Sequence, residues 1–177
     1  VFELARGESY SSPILVDGKL LHFHALDSKE TLDCHNPETG ERLWTFNYPI
    51  QYKDRYGFSA GPRRSPVVHE KKIYLIGVTA MLPCLDLETG NLIWKRNLKK
   101  EFEIHKNFFG YGPNPVVQGD KLIVNVGGKE KKKSGTSVAA FLLKDGKTAW
   151  KQEDPWGASY ASPVIATIHG KEVALIL

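Results

Sequence analysis

The sequence predicts an all-β protein, a β-propeller of four-stranded antiparallel blades, and three observations lead there. A strand-forming segment opening on proline recurs as Pro13-Ile-Leu-Val-Asp-Gly-Lys-Leu-Leu, Pro66-Val-Val-His-Glu-Lys-Lys-Ile-Tyr, Pro115-Val-Val-Gln-Gly-Asp-Lys-Leu-Ile and Pro163-Val-Ile-Ala-Thr-Ile-His-Gly-Lys-Glu-Val, with the prolines 53, 49 and 48 residues apart. A second segment recurs as Cys34-His-Asn-Pro-Glu-Thr-Gly-Glu-Arg-Leu-Trp44, Cys84-Leu-Asp-Leu-Glu-Thr-Gly-Asn-Leu-Ile-Trp94 and Ala140-Phe-Leu-Leu-Lys-Asp-Gly-Lys-Thr-Ala-Trp150, each with Gly four residues before Trp. No stretch sustains the 3.6-residue period of an amphipathic helix. Four short strands in a unit of about 50 residues make a propeller blade.

The elements follow in order from β-branched runs separated by Gly, Asp and Asn. The first blade spans 13–47, with strands near 13–17, 19–24, 31–35 and 41–47. The second spans 66–97, with strands near 66–69, 72–77, 81–86 and 91–97. The third spans 115–152, with strands near 115–118, 121–126, 137–143 and 147–152, and a half blade covers 163–177. Because the smallest closed ring needs about four blades, 177 residues at about 50 per blade predict a partial ring of about 3.5 blades.

The second segment has a physical reading. Gly40, Gly90 and Gly146 supply the positive φ of a tight turn between the two outer strands. The strand that follows carries Trp44, Trp94 or Trp150, a ring large enough to pack on the neighbouring blade, which is worth on the order of 3 kcal/mol when buried. The small Cys or Ala at the head of each segment leaves room for that ring. Cys34 and Cys84 then hold equivalent places in adjacent blades, too far apart for a disulfide, and are expected to be free, buried thiols.

Composition limits the alternatives. With 41% hydrophobic and 25% charged residues, disorder is excluded, and the longest apolar runs fall far short of the roughly 20 residues of a membrane span. Lys and Arg number 24 against 20 Asp and Glu, a net charge of +4 that is too small and too dispersed for a nucleic-acid footprint. The chain opens on Val1 with no basic stretch followed by an apolar segment, as expected where a signal peptide is either absent or already removed.

The pattern Ala/Cys-x-Asp/Asn-x-x-Thr-Gly-x-x-x-Trp, beside a Ser-Pro-Val-Val strand pair, resembles the tryptophan-docking motif of the pyrroloquinoline-quinone (PQQ)-type propellers, over nearly the whole chain. That superfamily includes quinoprotein alcohol and glucose dehydrogenases, the lipoprotein scaffold of bacterial outer-membrane protein assembly, and exported bacterial proteins with no assigned chemistry. The resemblance implies a periplasmic or secreted location. It also implies that the connections from one blade's outer strand to the next blade's inner strand rim the central channel. Here these are 4–12, 48–65, 99–114 and 153–162.

Those loops hold the candidate ligand residues. Arg63 and Arg64 offer paired donors to a carboxylate or phosphate, and Tyr56, Phe108 or Phe109 a stacking surface. Tyr10 and Tyr160 occupy matching loops, Gly7-Glu-Ser-Tyr-Ser-Ser-Pro13 and Gly157-Ala-Ser-Tyr-Ala-Ser-Pro163, and Asn107 and His105 complete the set. The competing reading is that these side chains bond loop backbones and fill gaps between blades. His22, His24 and His35 lie on neighbouring strands and are weighed as metal ligands, but exposed strand histidines are commoner and no metal is expected.

A motif shared by enzymes and scaffolds fixes architecture, not activity. The expected function is a non-catalytic binding or assembly scaffold in an exported bacterial protein, taking a protein partner or a small anionic or sugar ligand, without a cofactor. The first alternative is a PQQ-dependent dehydrogenase oxidising alcohols or sugars. The resemblance implies for it a Ca²⁺ ion held by carboxylate and amide oxygens and, in one branch, a pair of adjacent cysteines. The chain lacks the cysteine pair, and Asp54, Glu101 and Glu103 are scattered. The second alternative is a saccharide- or peptide-binding module.

Overall fold

The computed structural model describes residues 1–4, 7–104, 109–127, 135–154 and 159–177. The first sheet comprises β1 (Ile14–Val16), β2 (Lys19–Leu26), β3 (Lys29–His35) and β4 (Arg42–Pro49). The second comprises β5 (Val67–His69), β6 (Lys72–Tyr74), β7 (Met81–Asp86) and β8 (Leu92–Asn97), and a short helix α1 (Leu98–Glu101) follows. The third comprises β9 (Val116–Gln118), β10 (Lys121–Asn125), β11 (Gly135–Leu142) and β12 (Thr148–Asp154); β13 (Val164–Ile168) and β14 (Lys171–Leu175) pair by themselves. Strands lie in sequence order within each sheet and every pairing is antiparallel, the blade topology that the repeat predicts.

Two elements differ from the sequence reading. β6 ends at Tyr74 rather than near residue 77, because the ladder meets Pro83 on β7. Leu75 N–H still donates to Pro83 O at 3.1 Å, but proline has no N–H to return the bond. The second difference is α1, one turn with no periodicity to announce it. Asn97 Oδ1 accepts from Lys100 N–H at 3.1 Å, and Glu101 Oε1 accepts from Asn97 N–H at 3.1 Å, so two helix-end donors are satisfied reciprocally.

The sheets stack face to face, so their central strands are buried on both sides. Leu21, Phe23, Leu32 and Cys34 of the first blade pack against Ile73, Leu75, Leu85 and Leu87 of the second. Tyr74, Leu82, Cys84 and Trp94 point the other way, against Leu122, Val124, Phe141 and Leu143 of the third. Ile123, Val138 and Ala140 then meet Ile165, Ala174 and Ile176. This explains why β7 and β10 read as near-continuous apolar runs, and why the residues between the apolar ones on β2, His22 and His24, are buried as well.

The same turn recurs between the two outer strands of each blade. Gly40, Gly90 and Gly146 have φ of 77°, 70° and 71°, and their N–H groups donate to Asn36 O, Asp86 O and Leu142 O, each at 2.9 Å. Asn36 Oδ1 and Asp86 Oδ1 each accept two backbone N–H groups of the turn, from Glu38 and Thr39 and from Glu88 and Thr89. Where the third blade has Leu142, Asp145 Oδ1 accepts from Lys147 N–H instead. A register shift follows Cys34, Cys84 and Ala140, which stand opposite Trp44, Trp94 and Trp150. The bulge re-aims the outer strand at the same place in all three blades.

The rings lie on the turns of the next blade. A Cβ on Gly90 would stand 2.5 Å from Trp44 Cε3, and one on Gly146 would stand 2.7 Å from Trp94 Cδ2. Trp94 Nε1–H also donates to Leu143 O at 3.1 Å, whereas Trp44 Nε1 is buried without a partner among the described residues. Phe2 covers Gly40 in the same manner, with 2.7 Å between its ring and a Cβ there. Trp150 is 39% exposed, because β13 and β14 bring no glycine turn beneath it.

Gly90→Ala is therefore expected to cost more than a left-handed alanine alone. Gly18 has φ of 69° with nothing within 4 Å of a Cβ, so Gly18→Ala isolates the backbone cost, about 1 kcal/mol. Gly90→Ala adds displacement of the Trp44 ring, about 2 kcal/mol more. Urea unfolding of the two variants measures the difference.

Candidate functional site

The inner-strand prolines give the loops a common frame. The residues three positions before Pro13, Pro66, Pro115 and Pro163 are Tyr10, Arg63, Gly112 and Tyr160, and all four line one cleft of about 570 Å³, together with Asp54, Phe58, Arg64 and Phe109. Polar bonds run from loop to loop around it. Tyr10 N–H donates to Pro62 O at 3.0 Å, Ser12 N–H to Ser65 Oγ at 3.1 Å, and Asn114 N–H to Ser162 Oγ at 2.9 Å. The matching loops fold alike: Ser9 Oγ donates to Phe23 O and accepts from Ser11 N–H, and Ser159 Oγ donates to Leu177 O and accepts from Ala161 N–H.

Arg63 is wholly engaged with the protein. Its Nε–H donates to Phe109 O at 2.7 Å, Nη1 to Gly61 O at 3.1 Å, and Nη2 to Ser59 O and the Tyr52 hydroxyl at 3.0 and 3.2 Å. Nη2 also lies 3.4 Å from Asp54 Oδ2, with both side chains under 10% exposed. The guanidinium rests 5.0 Å from the Tyr10 ring centroid. Asp54 Oδ1 accepts from Tyr56 N–H at 2.8 Å, so both carboxylate oxygens are occupied.

Arg64 is placed differently. Its Nε–H donates to Gly112 O at 2.6 Å and Nη2 to Tyr160 O at 2.9 Å, both neutral carbonyls. The Tyr160 hydroxyl accepts from Phe109 N–H at 2.8 Å. Gly112 has to be small here, since a Cβ would come within 2.6 Å of Tyr160 Cδ1. Around the cleft Tyr10 is 58% exposed and Phe58 66% exposed, with Phe109 and Tyr160 partly so. Tyr56 stands at the lip, 6.1 Å from the Phe58 ring and 6.4 Å from Phe109, and is not part of the lining.

The structure thus gathers Tyr10, Arg63, Arg64, Phe109 and Tyr160 and puts Tyr56 beside them. His105, Asn107 and Phe108 lie outside the described residues. Phe58 and Gly112 belong to the cleft although sequence reasoning passed them over, and Asp54, weighed there only as a scattered carboxylate, belongs to it too. Counting back from the repeat prolines would have found Gly112. No pattern in the sequence marks Asp54 as the partner of Arg63.

Beneath the loop that starts at Tyr48 lies a buried carboxylate. Glu30 is inaccessible to solvent; its Oε2 accepts from the Tyr48 hydroxyl and its Oε1 from Val78 N–H of the second blade, each at 2.7 Å. Burial pushes its pKa up to about 7, against the pull of those two bonds and of the Arg63 charge. His22, His24 and His35 are engaged within the first blade. His24 Nδ1 accepts from Gly7 N–H and Nε2–H donates to Asp33 Oδ2, both at 2.9 Å, while His35 Nδ1 bonds Gly40 O and His22 stacks on His24. Among the described residues no three of His, Cys, Asp and Glu are grouped to hold a metal ion. Cys34 and Cys84 are free and buried, and burial raises their thiols to about 11 and about 12.

Four-stranded antiparallel blades joined through a ring-on-turn contact, with a loop-lined cleft on one face, define the class of PQQ-type β-propellers. A family model described as outer membrane protein assembly factor BamB matches residues 28–177, and the chain belongs to that family. The chain is 28% identical over 129 residues to 1-butanol dehydrogenase (cytochrome c) of Thauera butanivorans, covering 72% of this chain and 18% of that protein. It spans about a fifth of the length of the curated relatives it matches. Among solved structures, quinohemoprotein alcohol dehydrogenase from Comamonas testosteroni superposes with a TM-score of 0.56 at 23% identity, over 84% of this chain and 21% of that one. BamB from Moraxella catarrhalis gives 0.50 at 12% identity, over 81% and 36%. These likenesses establish the fold. Among the described residues no helix is long and apolar enough to cross a membrane.

The described residues of the cleft do not fit a calcium-held quinone. Calcium takes six to eight oxygen ligands, and Asp54, the one carboxylate of the described lining, is already bonded to Arg63 and to backbone.

The pH dependence of stability tests the Glu30 geometry. The folded chain holds this proton more tightly than the unfolded chain, so the contribution is complete below about 4.5 and is lost as pH rises to about 7. The change is on the order of 3 kcal/mol. Urea unfolding across that window should show the slope in the native protein and a flattened profile in Glu30→Gln.

Proposed function

We propose that the chain contributes a non-catalytic binding face to a scaffold of an exported bacterial protein, periplasmic or secreted, and that the loop cleft is the contact surface. The observation that carries this reading is the character of the cleft: exposed Tyr10 and Phe58, partly exposed Phe109 and Tyr160, and a carboxylate already consumed by the loop's own packing. Solvent-facing aromatics around an ordered cleft suit recognition, whereas redox chemistry on a quinone needs free ligands for its metal. The family's description as an assembly factor supports a scaffold role. In this reading Trp44 on Gly90 and Trp94 on Gly146 are the docking pairs that keep blades aligned so that the face stays rigid, with Gly40 under Phe2 and Trp150 as the equivalent positions in the first and third blades.

A PQQ-dependent dehydrogenase is the second reading, favoured by the identity to 1-butanol dehydrogenase. Two measurements on the full-length protein separate them. With PQQ and Ca²⁺ added, dye-linked oxidation of 1-butanol should be absent, and turnover would overturn the scaffold reading. A photo-crosslinking residue at Phe58, introduced in the native host, should capture a protein partner, while one at the exposed rim residue Leu43 should not. Equal capture at both positions would remove the loop face from the function.

A further inference from the structure

We propose that the loop face binds an extended peptide segment of a protein partner, one with an acidic side chain for Arg64 and an apolar side chain for Tyr10 and Phe58. This deepens the binding reading above and rests on it. The first ground is where charge is left over. Arg63 is balanced by Asp54 and has every nitrogen bonded within the protein. Arg64 has no carboxylate partner among the described residues: its two bonds go to neutral carbonyls, and Nη1 has no described partner. Those bonds to Gly112 and Tyr160 hold its guanidinium in place before any ligand arrives, which lowers the ordering cost of binding. A fixed, uncompensated guanidinium beside aromatic rings selects a carboxylate.

The second ground is the shape of the surface. Tyr10 and Phe58 also line a neighbouring cleft of about 490 Å³ with Glu8 and Asp27, so the two clefts adjoin at those rings. Arg64 lies in one cleft and Glu8 and Asp27 in the other, with the shared rings between them, and Glu8 also accepts from Ala60 N–H. Side chains on one face of an extended peptide recur about every 7 Å, which suits successive contacts along such a surface better than a compact small molecule does. The charge order assigns the ligand an acidic residue at one end, an apolar residue in the middle and a basic residue at the other.

Selection from a random-peptide display library on the full-length protein tests this. The native protein should enrich peptides with an acidic and an apolar residue in fixed spacing, and Arg64→Glu should exchange the acidic preference for a basic one. Binding of an enriched peptide should fall roughly tenfold or more when its acidic residue is replaced by the amide. Phe58→Ala, a substitution at a largely exposed position that leaves the core intact, should lose the apolar preference and keep the acidic one. Identical selections from native protein and Arg64→Glu, no enrichment at all, or displacement of enriched peptides by PQQ with Ca²⁺ would each overturn the proposal. If crosslinking from Phe58 still captures a partner while selection enriches nothing, the peptide inference fails and the scaffold reading stands.

Discussion

The structure depends on a ring lying on a turn. Trp44 covers Gly90 of the next blade and Trp94 covers Gly146, so each sheet is registered against its neighbour by one large apolar contact. Glycine is demanded twice at these positions, because φ is positive and because a Cβ would enter the ring. The bulge beside Cys34 and Cys84 sets the outer strand so that its Trp reaches across. Burial of both faces of each central strand follows from that stacking, and so does the inertness of the two thiols beneath the rings.

Stacked blades bring four loops together at one end, and polar bonds then hold them. Arg63 and Arg64 are consecutive yet differ physically. Arg63 turns inward to Asp54, the backbone of its own loop and Phe109 O of the next, and Arg64 reaches the carbonyls of the next two. Among the described residues one charge is paired and the other is not, although hydrogen bonds hold both side chains. Glu30 adds a second tie between blades, from the start of β3 to Val78, and keeps the first long loop seated on the second sheet. The face is therefore rigid in its frame while its aromatic side chains remain exposed.

Most of the architecture was legible in the sequence because repetition reports itself: the prolines mark each inner strand, and the Gly-to-Trp spacing marks each outer turn. The exceptions have local causes. Pro83 cuts β6 short by removing a donor, and α1 forms on side-chain caps that only three dimensions reveal. The site was legible in part. The loops and five of their residues were visible from the repeat and the loop composition, but the pairing of Arg63 with Asp54 was not, since no spacing rule governs contacts inside an irregular loop. Gly112 was overlooked because it is the position where a side chain is missing, and its meaning appears only when the Tyr160 ring fills the space.

The central claim is that the rings couple adjacent blades into one cooperative unit that supports the loop face. Amide hydrogen exchange on Trp44→Ala tests it most directly. The account predicts that protection falls together across the first and second sheets, including β7 and β8, and in the loop of residues 48–65. Loss confined to β4, with β7 and β8 unchanged, would contradict it.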